Sequence, residues 1–240
     1  MEVKLVARTL DVFEIFAREG RALSLTELSR LLDAAPSSTL ALVRTLLIKG
    51  YLYEPARRGS YYPTKKIVVA SGRIDDADPV LECFHPHLAA LRDATGETVV
   101  LGQRSGSSVV YLDVVPSPRA IRYMVEPGET RLIQANSIGR ALFAMMPVAE
   151  QRILVGKGEG GSASKYWLDR AARDAQRGWA ENVGDSVPDL AAIAIGLQVA
   201  GGCYGVSVVG PMARMQAVWS QQIEHLQSAG EQLRRAFALL

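Results

Sequence analysis

The sequence predicts an α+β chain, with a small, mostly helical N-terminal part and a larger C-terminal part built on a β-sheet. Three observations lead there. Short amphipathic segments, punctuated by glycine and proline, fill the first fifty residues. The apolar period changes from helical to alternating at Glu97, and a long amphipathic segment closes the chain.

The 240 residues suffice for one or two domains, and 48% hydrophobic with 22% charged residues is ordinary for a globular core. No apolar run approaches the ~18 residues that cross a bilayer. The nearest, 187–202, is interrupted by Pro188, Asp189 and Gln198. The first ten residues carry Glu2 and Lys4 and lack the apolar centre of a signal peptide. Cys83 and Cys203 make no disulfide framework, so a cytoplasmic protein with no membrane partner is expected. Residues 1–74 hold twelve basic and seven acidic side chains, a balance of +5, against 15 and 18 in the remainder, or −3. A basic front end on a mildly acidic body suits a module that meets a polyanion, although a solvated surface has the same look.

Each element follows from local chemistry. Val3, Val6, Leu10, Phe13 and Ala17 recur at helical spacing, with Ala7 and Phe16 widening the stripe, which predicts a helix over 3–18 stopped by Gly20. Ser24 with Glu27 forms a capping-box pattern ahead of Leu25, Leu28, Leu31 and Leu32. Asp33-Ala34-Ala35-Pro36 breaks that helix, and Ser37 or Ser38 caps a third, whose apolar face is Leu42, Val43, Leu46 and Leu47 and whose end is Lys49-Gly50. Two short helices across a tight turn, after a longer one, suggest a helix-turn-helix. Tyr51-Leu52-Tyr53 and Tyr61-Tyr62 flank a turn-rich basic segment, predicting a β-hairpin wing with Arg57 and Arg58 at its tip. A purely structural three-helix module with a surface hairpin fits the same pattern.

The run Pro36-Ser37-Ser38-Thr39-Leu40-Ala41-Leu42-Val43-Arg44-Thr45-Leu46, followed by Lys49-Gly50-Tyr51-Leu52, resembles the recognition-helix signature of the IclR family of transcription regulators. Ser37 and Ser38 fall on the family's Ser-Thr pair, whereas Ala41 stands where many members carry arginine. The resemblance implies a winged helix-turn-helix that binds double-stranded operator DNA. Backbone contacts are expected from Lys49, Arg57, Arg58 and Lys65, and base-edge contacts from Ser37, Ser38, Thr39 and Arg44. It further implies a homodimer, with a tetramer of paired dimers left open.

Beyond the wing, 64–71 is helix-compatible, and Asp78-Pro79 opens a helix running to Thr95-Gly96. Strands are predicted at 98–103 and 108–115 around a hairpin, at 120–125, at 190–199 and at 204–209. Helices are predicted from Ser137, over 165–177 and over 213–239. The ordered landmarks Gly96-Glu97-Thr98, Val110-Tyr111-Leu112-Asp113, Gly139-Arg140-Ala141-Leu142-Phe143-Ala144, Gly178-Trp179-Ala180, Ile193-Ala194 and Gly210-Pro211 resemble the GAF-like effector domain of the same family. The expected division is a DNA-binding domain over 1–63, a helical linker over 64–95 and an effector-binding domain over 96–240. A helix N-terminus seats a small carboxylate, and 135–139 leads into one. The resemblance implies an effector there, held by Asn136, Ser137, Ile138 and Gly139, with Asn182, Asp185, Leu190, Ala192 and Ser207 facing it and Tyr123 and Met124 as an apolar wall. Asn182 and Ala192 stand where relatives that bind small oxo acids carry an acid and a cysteine, which with Tyr123 and Met124 points to an aromatic or otherwise bulkier acid; core and loop residues of a sensory fold without this ligand fit the same positions.

An enzyme is the competing class. Gly156-Lys157-Gly158-Glu159-Gly160-Gly161 fits a dinucleotide pattern, but Ser162-Ala163-Ser164 follows in place of an apolar helix. Cys83, His85 and His87 supply at most three zinc ligands, and Ser207 lacks the second glycine of a nucleophile elbow. No catalytic set, metal or cofactor is expected.

Overall fold

The computed structural model describes residues 3–55, 59–75, 77–156, 162–199 and 201–238. It divides the chain into two compact units, Met1–Asp78 and Pro79–Leu240. The first holds α1 (Lys4–Glu19), β1 (Leu23–Ser24), α2 (Leu25–Leu31), α3 (Pro36–Ile48), β2 (Leu52–Tyr53), β3 (Ser60–Pro63) and α4 (Lys66–Asp75). β3 lies between β1 and β2, antiparallel to both.

Gly20 takes the left-handed conformation (φ 64°) and returns its N–H to the Phe16 carbonyl, ending α1. Ser24 and Glu27 form the capping box: the Glu27 N–H donates to Ser24 Oγ (3.3 Å), while the Ser24 N–H and hydroxyl donate to Glu27 Oε2 (2.8 Å each). α3 differs from expectation at its start. It begins at Pro36 with no side-chain cap, because proline at the first helical position has a preset φ and no N–H to satisfy. The core of this unit gathers Val12, Ile15, Phe16, Leu28, Leu42, Val43 and Leu46 over Leu23, Leu52 and Tyr61. The stripe expected along α1 holds only in its second half. Val3, Val6 and Leu10 are about 60% exposed, and Ala17 is exposed, because nothing within the unit covers that face.

The second unit holds α5 (Pro79–Thr95), β4 (Thr98–Ser105), β5 (Ser108–Val115), β6 (Thr130–Leu132), α6 (Ser137–Met145), α7 (Val148–Gly156), α8 (Ser162–Arg177), β7 (Ala180–Val183), β8 (Leu190–Val199), β9 (Gly202–Pro211), α9 (Met212–Ala217) and α10 (Trp219–Phe237). Its six strands run in the order β6-β5-β4-β9-β8-β7, all neighbours antiparallel. The central strands are covered on both faces, so their sequences read as nearly continuous apolar runs. Alternation sorts each run. Val99, Leu101, Ile193, Ile195, Val206 and Val208 face α5 and α10, against Phe84, Leu88, Leu226 and Leu233. Val100, Ala192, Ala194 and Val209 face α6, against Ile138 and Leu142. α6 sits close to the sheet because Gly102 and Gly205 leave room for Ile138; a side-chain carbon at Gly205 would lie 2.4 Å from Ile138 Cγ2.

Two expectations for this unit are corrected. Residues 120–125 form no strand but a strap hung from side chains: Thr98 Oγ1 donates to the Tyr123 carbonyl (2.9 Å) and Arg214 Nη2 to the Ile121 carbonyl (2.9 Å). The place beside β5 belongs to β6, which pairs with Ser108 to Val110. The C-terminal helix is broken at Val218 (φ −132°), so that Met215 and Trp219 both reach the core. The 64–95 stretch is shared between units: α4 stays with the first, whereas α5 buries Phe84, Leu88 and Leu91 in the second.

The strap is clamped at its root. Arg214 meets the buried Glu97 carboxylate with two parallel bonds, Nε to Oε1 (2.7 Å) and Nη2 to Oε2 (2.8 Å), and that hydrogen-bonded carboxylate raises the guanidinium pKa. Gly210 lies against the same carboxylate, 2.3 Å from Oε2 to where a side-chain carbon would stand.

The capping box gives a pH-dependent expectation. The backbone and hydroxyl bonds from Ser24, then Arg21, hold the Glu27 pKa at about 2, below its ordinary 4.5. Its contribution is therefore fully present above pH 4.5 and is lost as pH falls through about 2. Glu27→Gln should lower the Tm of the full chain at pH 7, and the gap to wild type should narrow between pH 4.5 and 2. Paired thermal melts across that range check this; a gap independent of pH would show that the carboxylate charge is irrelevant to the cap.

Candidate functional site

Each unit carries one candidate site. In the first, the chain turns by 112° between α2 and α3 across the break at 32–35, where Asp33 adopts a left-handed φ of 46°. Thr39 does not lie where a base contact needs it. It is 2% exposed with its hydroxyl on the Ala35 carbonyl (3.2 Å), because its position falls on the core face with Leu42, Val43 and Leu46. Ser37 and Arg44 are exposed and Ser38 is half-buried. Ala41, Thr45 and Ile48, none of them among the expected contacts, share the exposed face, and Ile48 is 86% exposed. Helical spacing from Ser37 and Arg44 was sufficient to find them.

Lys49 and Lys65 are exposed beyond the end of α3. Lys66 was missed: its ammonium donates to the Lys49 carbonyl (2.7 Å) and stands over the Tyr51 ring, tying α4 to the end of α3. Arg57 and Arg58 lie outside the described residues.

In the second unit, the Asn136 side chain caps α6, accepting from the Gly139 N–H (2.7 Å) and donating to the Leu132 carbonyl (2.8 Å). Around this terminus lies a cleft lined by Tyr123, Asn136, Ser137, Ile138, Asn182, Leu190, Ala192 and Ser207, all expected, and by Val100, Tyr111, Ser186 and Val209, which were not. Register supplies two of the missed residues: Val100 pairs with Ser207, and Val209 pairs with Ala192. Ser137 Oγ and Ser207 Oγ are 2.9 Å apart, and Ser207 donates to the Ile193 carbonyl (2.9 Å), which leaves Ser137 as donor of the pair. Asn182 donates to the Ala135 carbonyl (2.9 Å) and to Ser186 Oγ (3.0 Å) and accepts from the Asp185 N–H. Burial, and after it the neighbouring Tyr123, pushes the Tyr111 phenol pKa up.

Three expected residues lie off the lining. Met124 is 62% exposed. Gly139 is packed against the Ile133 backbone, where a side-chain carbon would come within 2.1 Å of the carbonyl oxygen. Asp185 turns to Arg140 (2.7 Å). Arg140 is itself buried, bonded to the carbonyls of Gln134 and Glu181 and stacked over Trp167; burial lowers its pKa, and Asp185 acts against that. The charges thus sit beside the cleft, and none of its lining side chains carries one. Its free volume is about 30 Å³, room for roughly two waters. His85 lies within 2.7 Å of Asp113, and no group of three potential metal ligands occurs among the described residues. The glycine-rich stretch at 157–161 lies outside them.

Two family models match: the bacterial transcriptional regulator IclR C-terminal domain over residues 75–235 and the IclR helix-turn-helix domain over residues 5–55. The chain is 27% identical over 222 residues to the HTH-type transcriptional regulator BhcR of Paracoccus denitrificans, covering 89% of this chain and 79% of that one. It is 24% identical over 148 residues to the HTH-type transcriptional repressor AllR of Escherichia coli, covering 61% and 54%. Similar folds include an IclR regulator from Alicyclobacillus acidocaldarius (TM-score 0.79, 18% identity, 98% of this chain and 99% of that one). An IclR homologue from Microbacterium hydrocarbonoxydans complexed with 4-hydroxybenzoate superposes with a TM-score of 0.80 (16% identity, 98% and 100%). These are regulators, not enzymes, and the enzyme alternative is set aside. The chain belongs to the IclR family of DNA-binding transcription regulators.

Proposed function

We propose that this regulator binds its operator as a homodimer and senses a small aromatic acid at the N-terminus of α6, in control of a catabolic operon. The observation that carries the reading is the cleft itself: a helix N-terminus, Ser137, Ser207, Asn182 and two tyrosines enclosed by Val100, Leu190, Ala192 and Val209, with no charged side chain in the lining. The helix end receives a carboxylate without a buried counter-charge. The apolar walls and tyrosines suit a ring, and the bound 4-hydroxybenzoate of the similar structure has both features. On this reading the strap over 120–125, which carries Tyr123, moves to admit a ring. Effector and operator then influence each other only as far as the effector distinguishes the two arrangements of the protein.

Calorimetric titration with 4-hydroxybenzoate, and with benzoate and glyoxylate as comparisons, tests the site. Ser207→Ala should weaken the best of these acids several-fold, since a buried hydrogen bond contributes ~0.5–1.5 kcal/mol, with operator affinity unchanged in the absence of effector. Ala192→Leu should abolish effector binding by filling the cleft and leave operator binding intact. Wild-type effector affinity in Ala192→Leu, with the fold verified by circular dichroism, would place the pocket elsewhere.

On the DNA side, Lys49, Lys65, Arg57 and Arg58 are assigned to phosphates, and Ser37, Ser38 and Arg44 to the groove. Arg57→Ala with Arg58→Ala should weaken binding to every duplex and reduce the salt slope by up to about two phosphate contacts. An unchanged slope would remove the hairpin from the interface.

The homodimer is supported by apolar surface that its own unit leaves uncovered: Val3, Leu5, Val6 and Leu10 on α1 and Val68, Val69 and Ile74 on α4, all more than half exposed. Leu10→Glu should shift the sedimentation coefficient towards the monomer; an unshifted dimer would assign α1 no part in it.

A further inference from the structure

The outer stripe of α3 has a chemistry of its own. Ser37, Ala41, Arg44, Thr45 and Ile48 are exposed at spacings of four, three, one and three residues, which places them on one side of the helix. Ile48, at 86%, is the most exposed large hydrophobic side chain among the described residues. The one hydroxyl proton of Thr45 is committed to the Ala41 carbonyl (2.9 Å), so it has no proton to donate to a base and offers its methyl and the acceptor side of its oxygen. No asparagine or glutamine occurs in the helix, which excludes the two-bond amide contact that selects adenine, and no acidic side chain is present to accept from cytosine. Arg44 is the one cation on the stripe. The exposed Lys49 and Lys65 lie off it, and the +5 balance of residues 1–74 favours a polyanionic duplex over another copy of this equally basic unit.

Methyl-bearing side chains in the major groove have one natural partner on a base edge, the C5-methyl of thymine, and arginine has the O6 and N7 of guanine. We propose that α3 reads its half-site chiefly through thymine methyl groups, met by Ala41, Thr45 and Ile48, with Arg44 making a single guanine contact. This rests on the assignment of α3 to the groove and goes beyond it by naming the base-edge groups that are read.

The test uses the full-length chain. Duplexes are first selected from a randomised pool at fixed salt, and each thymine of the selected half-site is then replaced singly by deoxyuridine, which keeps its pairing and loses only the methyl. At least two positions in each half-site should lose affinity, by about four-fold for a fully buried methyl. Ile48→Ala should cancel the effect at one of these positions, and Arg44→Ala should erase the preference for one guanine. Binding of the selected site with no deoxyuridine effect beyond about 1.5-fold would overturn methyl reading while leaving DNA binding intact. Failure to select any duplex over the random pool would overturn the groove assignment itself. If Ile48→Ala changes the sedimentation coefficient and leaves the deoxyuridine pattern unaltered, the stripe is a contact between copies of the chain and the proposal falls.

Discussion

The second unit depends on how closely α6 can approach the sheet. Ile138 enters the space that Gly102 and Gly205 leave, and Gly139 lets the turn before the helix rest on the Ile133 backbone. With normal side chains at these positions α6 would ride higher, and interiors pack too densely for its neighbours to absorb the displacement. At this separation Ser137 at the first turn meets Ser207 in β9, and the helix N-terminus opens over Ala192 and Val100. The cleft is what remains where α6 ends and the sheet continues.

The polar groups around that space are already bonded. The Asn136 side chain is divided between the Gly139 N–H and the Leu132 carbonyl, Asn182 between Ala135, Ser186 and Asp185, and Ser207 between Ser137 and Ile193. The buried Arg140 is occupied by two carbonyls and Asp185, fixing the 182–186 rim from the side. On the opposite rim, the Glu97–Arg214 pair and Thr98 anchor the strap that carries Tyr123. The strap over 120–125 is held by side-chain bonds to main-chain carbonyls, whereas 184–189, beyond the end of β7, is held by Arg140 on Asp185 and by the backbone bonds Gly184 to Leu190 and Met212 to Asp189. Such rims can be released without unzipping the sheet, and the low-stability end of a fold is where ligand-gating segments are found.

Much of this was legible in the sequence, and the gaps have definite causes. The capping box of Ser24 and Glu27, the glycine stop of α1 and the alternating runs of β4, β8 and β9 are local signals, and the structure has each of them. Residues 120–125 have strand composition, yet β6 takes the place beside β5, and which segment pairs there is a tertiary fact. The periodicity of α1 said where its apolar residues lie but not whether its own unit could cover them. Thr39 was grouped with Ser37, Ser38 and Arg44 on the recognition helix, although counting from Leu42 and Val43 put it on the inner face. In the cleft, the resemblance supplied Asn136, Ser137, Asn182 and Ser207, whereas Val100 and Val209 became visible only once strand register was known. Met124 illustrates the limit of proximity in sequence: one residue from Tyr123, it points to solvent.

Satisfied polar groups also decide which ligand chemistry the cleft rewards. An entering acid exchanges the bonds among Ser137, Ser207 and Asn182 for bonds to itself, and a one-for-one exchange contributes little net free energy. The surplus must come from two terms that the closed cleft lacks. One is the carboxylate at the N-terminus of α6, favourable by ~0.3–1 kcal/mol where exposed and up to ~2 kcal/mol where partly buried. The other is apolar surface against Val100, Tyr111, Leu190 and Val209. A ring that buries about 100 Å² of such surface gains roughly 2.5 kcal/mol at ~25 cal/mol per Å². A two- or three-carbon oxo acid has the first term and little of the second, and no lining cation replaces what it lacks. Opposing both, on the proposed reading, is the displacement of the strap that carries Tyr123. On the proposed reading, a small acid gains too little to drive that displacement, whereas an aromatic acid gains it in the same step that requires it.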